Sequence, residues 1–211
     1  MKILCVSDQI DPLVYSNSIK SRFADIDLVL SAGDLPMDYL DFIVSNLNKP
    51  LLFVFGNHHL LDMSSGGFQC FGNMHIGTKV RREEGLIVAG LGGSMCYNRG
   101  ENQFTDLQMY MEIAKLIPVL LCNRIFRKRY LDILLTHAPP WGIHDKPDRC
   151  HQGFKAFRWF IKMFRPRYLV HGHIHLYDLS DIRRTRCMQT EVINAYSHYV
   201  INTSDDDRQE G

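Results

Sequence analysis

The chain has 211 residues, 24 of them Lys or Arg and 23 Asp or Glu, giving a formal net charge of +1. With 45% apolar and 22% charged residues, the composition excludes wholesale disorder, collagen and coiled coil. The length suits one compact domain with a core that needs no staples, and the near-neutral charge argues against strong non-specific binding to nucleic acid.

Cys5, Cys70, Cys96, Cys122, Cys150 and Cys187 are widely spaced, with no Cys-x-x-Cys pair, so reduced core thiols are expected. The N-terminus reaches Asp8 too early for a secretory h-region. The longest apolar stretch, Ile113 to Cys122, holds Lys115 and Pro118 and is too short to span a bilayer. A soluble, cytoplasmic protein is expected, with no membrane partner.

In chain order, Ile3–Val6 is a strand-length apolar run ending at Ser7-Asp8, and Leu28–Leu30 is another ending at Gly33-Asp34. Leu40, Ile43, Val44 and Leu47 follow helical spacing. Leu51–Phe55 runs into Gly56-Asn57-His58-His59. Thr78–Arg82 and Leu86–Ala89 predict a hairpin across Glu83-Glu84-Gly85. Gly90-Leu91-Gly92-Gly93-Ser94 reads as a turn, since Met95 and Cys96 break both glycine-loop motifs it resembles. Thr105-Asp106-Leu107-Gln108 has capping-box spacing and predicts a helix that Pro118 bends or breaks. Ile133–Leu135 ends at Thr136-His137. Phe154, Phe157, Ile161 and Phe164 mark a further helix. Tyr168–Val170 ends at His171-Gly172-His173-Ile174-His175, and Glu191 to Ile201 predicts one or two terminal strands. Continuous apolar runs are strands buried on both faces, and their alternation with helices predicts α/β with a mixed sheet. One domain is expected over 1–203, with 204–211 as a frayed acidic tail.

Five of these runs end in Asp, Asp, Asn-His-His, His and His-x-His. Alone, Asp8 or Asp34 reads as a turn or helix cap and Asn57 as a turn residue. Their convergence points to a site at the carboxyl edge of a sheet. Carboxylate, amide oxygen and imidazole together favour Mn²⁺, Fe or Zn²⁺ over a structural zinc knot. His173 and His175 face one side of an extended segment.

The ordered set Asp8, Gly33-Asp34, Gly56-Asn57-His58, His137 and Gly172-His173-Ile174-His175 resembles the calcineurin-like metallophosphoesterases. Thr136-His137-Ala138-Pro139-Pro140 is similar to their small bacterial branch. The resemblance implies a four-layer α-β-β-α sandwich of two facing mixed sheets flanked by helices. It also implies two divalent metal ions, Mn²⁺ foremost. Asp8, Asp34 and His175 would hold the first ion. Asp34, as bridge, would hold the second with Asn57, His137 and His173. The implied reaction is in-line hydrolysis of a phosphate ester by a hydroxide held between the ions, with His58 contacting the phosphate and assisting the leaving group.

Two positions depart from the family pattern. The usual Asp-x-His is Asp8-Gln9-Ile10 here, and isoleucine cannot ligate. Either a water or a neighbour such as Asp11 substitutes, or the first site is weak or empty. His59 stands where the family has Asp or Glu. Among other residues, Trp141, His144, Asp145, Arg149 and His151 form a loop after a ligand strand that either lines the substrate pocket or is solvated. His171, His75 and His198 read as structural. The basic runs Arg124–Arg129 and Arg183–Arg186 read as solvated faces, with a minority reading as contacts to a polyanion. The expected function is a metal-dependent phosphoesterase, leaning to phosphodiesters by resemblance alone, acting on a small phosphate ester or nucleotide. Alternatives are a non-catalytic scaffold on the same fold and a nuclease.

Overall fold

The computed structural model describes residues 1–58, 73–178 and 180–204. His59, Cys70 and all but the first residue of the predicted tail lie outside the described residues. In chain order the elements are β1 (Lys2–Ser7), α1 (Ile19–Arg22), β2 (Leu28–Ser31), α2 (Met37–Leu47), β3 (Leu51–Phe53) and β4 (Asn73–His75). Then come β5 (Lys79–Glu83), β6 (Leu86–Leu91), β7 (Ser94–Met95), β8 (Gln103–Phe104), α3 (Asp106–Arg127) and β9 (Ile133–Thr136). The chain continues through α4 (Lys155–Phe164), β10 (Tyr168–His171), β11 (Arg184–Cys187), β12 (Thr190–Asn194) and β13 (Ser197–Asn202).

Two mixed sheets form, one ordered β13-β1-β2-β3-β4 and one ordered β11-β12-β10-β9-β6-β5, with β7 and β8 as a separate pair. Side-chain alternation explains the layers. Ile3 and Cys5 of β1 and Leu28 and Leu30 of β2 point inward against Ile133, Leu135, Val170 and Ile193 of the other sheet. Leu4, Val6 and Val29 point outward onto Ile19, Tyr39, Leu40 and Ile43 of α1 and α2. Leu134, Leu169 and Val192 point outward onto Met109 and Ile113 of α3 and Phe157 and Ile161 of α4. The central strands β1, β2, β3, β9 and β10 are therefore buried on both faces, which is why their sequence runs are continuous rather than alternating. The result is the expected four-layer sandwich. Truncating an inner-face residue such as Leu30 to Ala costs about 3 kcal/mol, because the cavity cannot collapse between two sheets.

The predicted capping box opens α3: Thr105 Oγ1 accepts from Gln108 N at 3.3 Å and Gln108 Oε1 accepts from Thr105 N at 2.8 Å. The helix is not broken at Pro118 and runs on to Arg127. Pro118 and Ala114, whose carbonyl loses its helical donor, both lie on the exposed side, so the lost bond does not bury an unpaired carbonyl. Buried Ile113, Leu116 and Leu120 hold the helix against its sheet on either side of the proline.

The hairpin forms with Glu83 opposite Leu86, and Glu84 and Gly85 both take positive φ, 48° and 80°, as a type I′ turn requires. The Gly90–Ser94 segment is only partly a turn, since Gly90 and Leu91 end β6. The terminal segment makes two strands that join different sheets: β12 pairs with β10 and β13 with β1. The basic run at 183–186 contributes the edge strand β11. There Arg184 and Arg186 pair with Glu191 at 2.9 and 3.7 Å, and Arg183 donates to the carbonyls of Tyr196 and His198. In the other run, Arg124 donates to the Lys128 carbonyl and Arg129 pairs with Asp132 at 3.1 Å, where cations favour the helix C-terminus.

Candidate metal centre

Parallel pairing of β1 with β2, β2 with β3, and β9 with β6 and β10 puts the carboxyl ends of all five predicted runs at one edge of the sandwich. Backbone bonds tie these ends together, Asp8 N to the Gly33 carbonyl at 3.1 Å and Gly172 N to the His137 carbonyl at 3.0 Å. Asp8, Asp34 and His173 take φ of 63°, 53° and 66°. That left-handed backbone costs non-glycine residues on the order of 1 kcal/mol each and clusters at functional sites. Glycines allow the close packing. A Cβ on Gly56 would sit 2.0 Å from Asp34 Oδ1, and one on Gly172 would sit 2.5 Å from Asp8 Oδ2.

Ligand-capable atoms of Asp34, His137 and His173 all lie within 4.8 Å of one another. His137 Nε2 is 3.3 Å from Asp34 Oδ2 and 3.1 Å from Asn57 Oδ1. Asp8 Oδ2 accepts from the His173 backbone N–H at 2.9 Å, while Asp8 Oδ1 lies 3.9 Å from His175 Nε2. The His58 backbone N–H donates to Asp34 Oδ1 at 3.0 Å, and the His58 side chain is exposed.

Backbone carbonyls orient two of the imidazoles, and a tyrosine hydroxyl lies against a third. His137 Nδ1 donates to the Ala32 carbonyl at 2.8 Å, which directs Nε2 at Asp34. His173 Nε2 donates to the Cys150 carbonyl at 2.8 Å, which leaves its Nδ1 lone pair free. His175 Nδ1 lies 3.2 Å from the Tyr177 hydroxyl, so a donor bond there leaves Nε2 bare toward Asp8. A carbonyl fixing one ring nitrogen while the other faces the site is the usual outer partner of a ligating histidine.

A positive charge on His137 balances Asp34 in the buried site, and a bound cation would take over that role as the ring gives up its Nε2 proton. Burial opposes ionisation of Asp34, but His137 and the His58 N–H outweigh it and hold its pKa at about 2. Burial likewise opposes charge on His137, and Asp34, Asp8 and the Ala32 carbonyl outweigh it, raising its pKa to about 9. Burial raises the Asp8 carboxyl. Burial, helped by the charge on His137, lowers His173 to about 3 and keeps it neutral. A carboxylate at the centre, an amide oxygen and a neutral imidazole beside it match the donor set of a hard-to-borderline divalent ion.

The family model for calcineurin-like phosphoesterases matches residues 1–177. The chain belongs to that family. Three solved structures share the fold. One superposes with a TM-score of 0.67 at 13% identity, covering 97% of this chain and 95% of its own. TT1561 of Thermus thermophilus gives 0.60 at 14% identity, covering 92% and 88%. GAP50, described as the anchor in the inner membrane complex of Plasmodium, gives 0.51 at 9% identity, covering 92% and 70%. No curated protein is significantly similar in sequence. No helix among the described residues is long and apolar enough to cross a membrane.

Set against the family motif, Ile10 is 41% exposed, so it does not pack in the core beneath β1. Asp11 does not turn toward the site. It is 6% exposed and accepts from Leu13 N at 2.7 Å and from Ser197 Oγ and His198 Nδ1, both at 2.5 Å. That bond also gives His198 its structural role, and His75 packs its ring 4.2 Å from that of Phe55.

The loop after His137 divides. The His151 ring lies 5.3 Å from that of His173 and its Nδ1 bonds Asp148 at 2.6 Å. Asp145 accepts backbone N–H bonds from Gly142 and Gly153 and so closes the loop. His144 is 2.8 Å from both His171 Nε2 and Thr185 Oγ1. Burial lowers the pKa of His144 to about 4 and that of His171 well below its usual value. Both rings are neutral, and this chain of bonds supports the Gly172-His173 turn from behind.

Three aromatic residues at the site escaped the sequence reading. Tyr97 Oη accepts from Asn57 Nδ2 at 3.4 Å. The Tyr196 ring lies 4.9 Å from His175 at 30° and its hydroxyl bonds Gln9, and Tyr177 contacts His175 as above. Tyr177 alone carried a signal, two residues beyond His175 on the same extended segment.

Proposed function

We propose that this chain is a metal-dependent phosphoesterase that hydrolyses a small phosphate ester or nucleotide, with phosphodiesters favoured. The observation that carries the reading is the cluster of Asp34, His137 and His173, whose ligand atoms fall within 4.8 Å with both rings oriented by backbone carbonyls. Asp8, Asp34 and His175 would hold one divalent ion, and Asp34, Asn57, His137 and His173 the other, with Mn²⁺ the expected metal. Bound ions supply Lewis acidity and make water a usable nucleophile near neutral pH.

The chain's own residues orient and protonate. Asp34 lies between the two halves of the site, fixed by His58 N–H on one oxygen and His137 on the other. The exposed His58 ring is free to reach the ester and donate a proton to the departing oxygen. His151, beside His173, is placed to contact a phosphate oxygen. His144 and Asp145 contribute by holding the loop that carries it. The described cysteines are free thiols, which suits a cytoplasmic setting.

The test is turnover of bis-p-nitrophenyl phosphate and p-nitrophenyl phosphate with Mn²⁺, and its loss in chelator. Ile10 favours one second reading, a scaffold with a weakened first site. No turnover of either ester with Mn²⁺, Fe²⁺, Co²⁺ or Zn²⁺ selects that reading.

A further inference from the structure

Helix α3 is apolar on both sides. Met109, Ile113, Leu116 and Leu120 face the core. On the opposite side lie Leu107, Met111, Ala114, Pro118, Leu121 and Ile125, all exposed. Their spacing alternates four and three residues, which is the heptad seam of a helix that packs lengthwise on another helix. The exposures are large: Leu107 70%, Met111 52%, Leu121 48% and Ile125 65%, with Phe126 at 81% on the flank. Together they present on the order of 600 Å² of apolar surface, the upper end of what a monomer leaves uncovered, and two such faces would bury roughly 1,200 Å², the size at which specific interfaces begin.

We propose that this face is a two-fold interface, covered by α3 of a second copy running antiparallel. The sequence of the seam is self-complementary in that arrangement. About a centre at position 116, Leu107 meets the partner's Ile125, Met111 meets the partner's Leu121, and Ala114 meets the partner's Pro118. Large side chains pair with large ones toward the ends, and the small pair lies at the middle, where two-fold helices approach closest. An isologous interface demands this matching of a patch with itself.

The helix dipole selects the same direction. Asp106 and Arg124 are engaged within their own chain, with Ala156 N and the Lys128 carbonyl, and lie to the side of the seam. Antiparallel pairing opposes the two helix dipoles, which parallel pairing would align. Lys115 stands at the margin of the seam, paired with Glu112 at 2.6 Å, and leaves the stripe uncharged. No residue of the seam is a proposed metal ligand, so the interface is independent of the phosphoesterase reading.

Sedimentation of the full chain from about 1 to about 200 μM tests this. A concentration-dependent dimer is expected. Leu121→Glu should raise its dissociation constant at least about tenfold, with circular dichroism unchanged, because Leu121 is exposed. Direction is read by disulfide trapping in a Cys122→Ser background. A mixture of Leu107→Cys and Ile125→Cys chains should cross-link between those two positions. Either variant alone should not, since antiparallel pairing separates like positions by about 27 Å along the axis. A monomer throughout the range, a dimer indifferent to Leu121→Glu, sedimentation with lipid vesicles as a monomer, or like-with-like trapping at position 107 overturns the proposal.

Discussion

Nε2 of His137 lies 3.3 Å from the Asp34 carboxylate, and the same ring donates from Nδ1 to the Ala32 carbonyl at 2.8 Å. The two residues sit on different sheets, at the ends of β2 and β9, so their contact fixes the relative position of the sheets at the site. In the proposed function both would hold the ion, whereas His58 would act on the ester.

That separation is testable. Asp34→Asn and His137→Ala should lower metal content and rate together, each by at least about tenfold. His58→Ala should leave metal content, measured by elemental analysis, near wild type while turnover falls by roughly 10²- to 10⁴-fold. Loss of metal in His58→Ala would contradict the role assigned to His58.

Ile10 gives a second prediction. Because its side chain is 41% exposed, Ile10→His should change stability by no more than about 0.5 kcal/mol in chelator. Wild type should show two unequal steps in a calorimetric Mn²⁺ titration, the weaker belonging to the ion held by Asp8 and His175. The added imidazole should tighten that step. Equal steps in wild type would show that Ile10 does not weaken the first site.

Acid stability should report on Asp11. Burial disfavours its charge, but bonds from Ser197, His198 and Leu13 prevail and lower its folded pKa. A carboxylate with a lowered folded pKa stabilises the fold fully above its unfolded pKa of about 4, and that contribution is lost as pH falls through the folded value. Asp11→Asn should therefore cost about 2 kcal/mol at neutral pH and make the melting temperature flatter below about pH 4. A variant with an unchanged acid limb would show that other carboxylates set it.

Gly56→Ala tests the close packing at the site. The new Cβ would fall 2.0 Å from Asp34 Oδ1 and 2.6 Å from His137 Cε1, so both side chains must move. The variant should lose about 1–3 kcal/mol in chemical denaturation and bind Mn²⁺ at least about tenfold more weakly. A variant that melts lower but binds metal normally would mean that Asp34 can relax without leaving the site.

The strands, the capped start of α3 and the chemistry gathered at strand ends were legible from sequence, because burial on both faces and hydrogen bonding within a turn are local patterns. The sequence placed Asp8, Asp34, Asn57, His137, His173 and His175 after strands. It could not say which nitrogen of His173 is free, since that depends on the Cys150 carbonyl, 23 residues away. Nor could it show that Asp11 is taken by His198, 187 residues on, or that Tyr97 and Tyr196 reach the site. The division of the terminal segment between two sheets, and the continuation of α3 through Pro118, likewise rest on packing partners that local propensity does not contain. Local sequence determined which residue types end each strand. Tertiary contact alone determined which atoms of those residues face one another, because the side chains involved are brought together by two sheets closing on a common core.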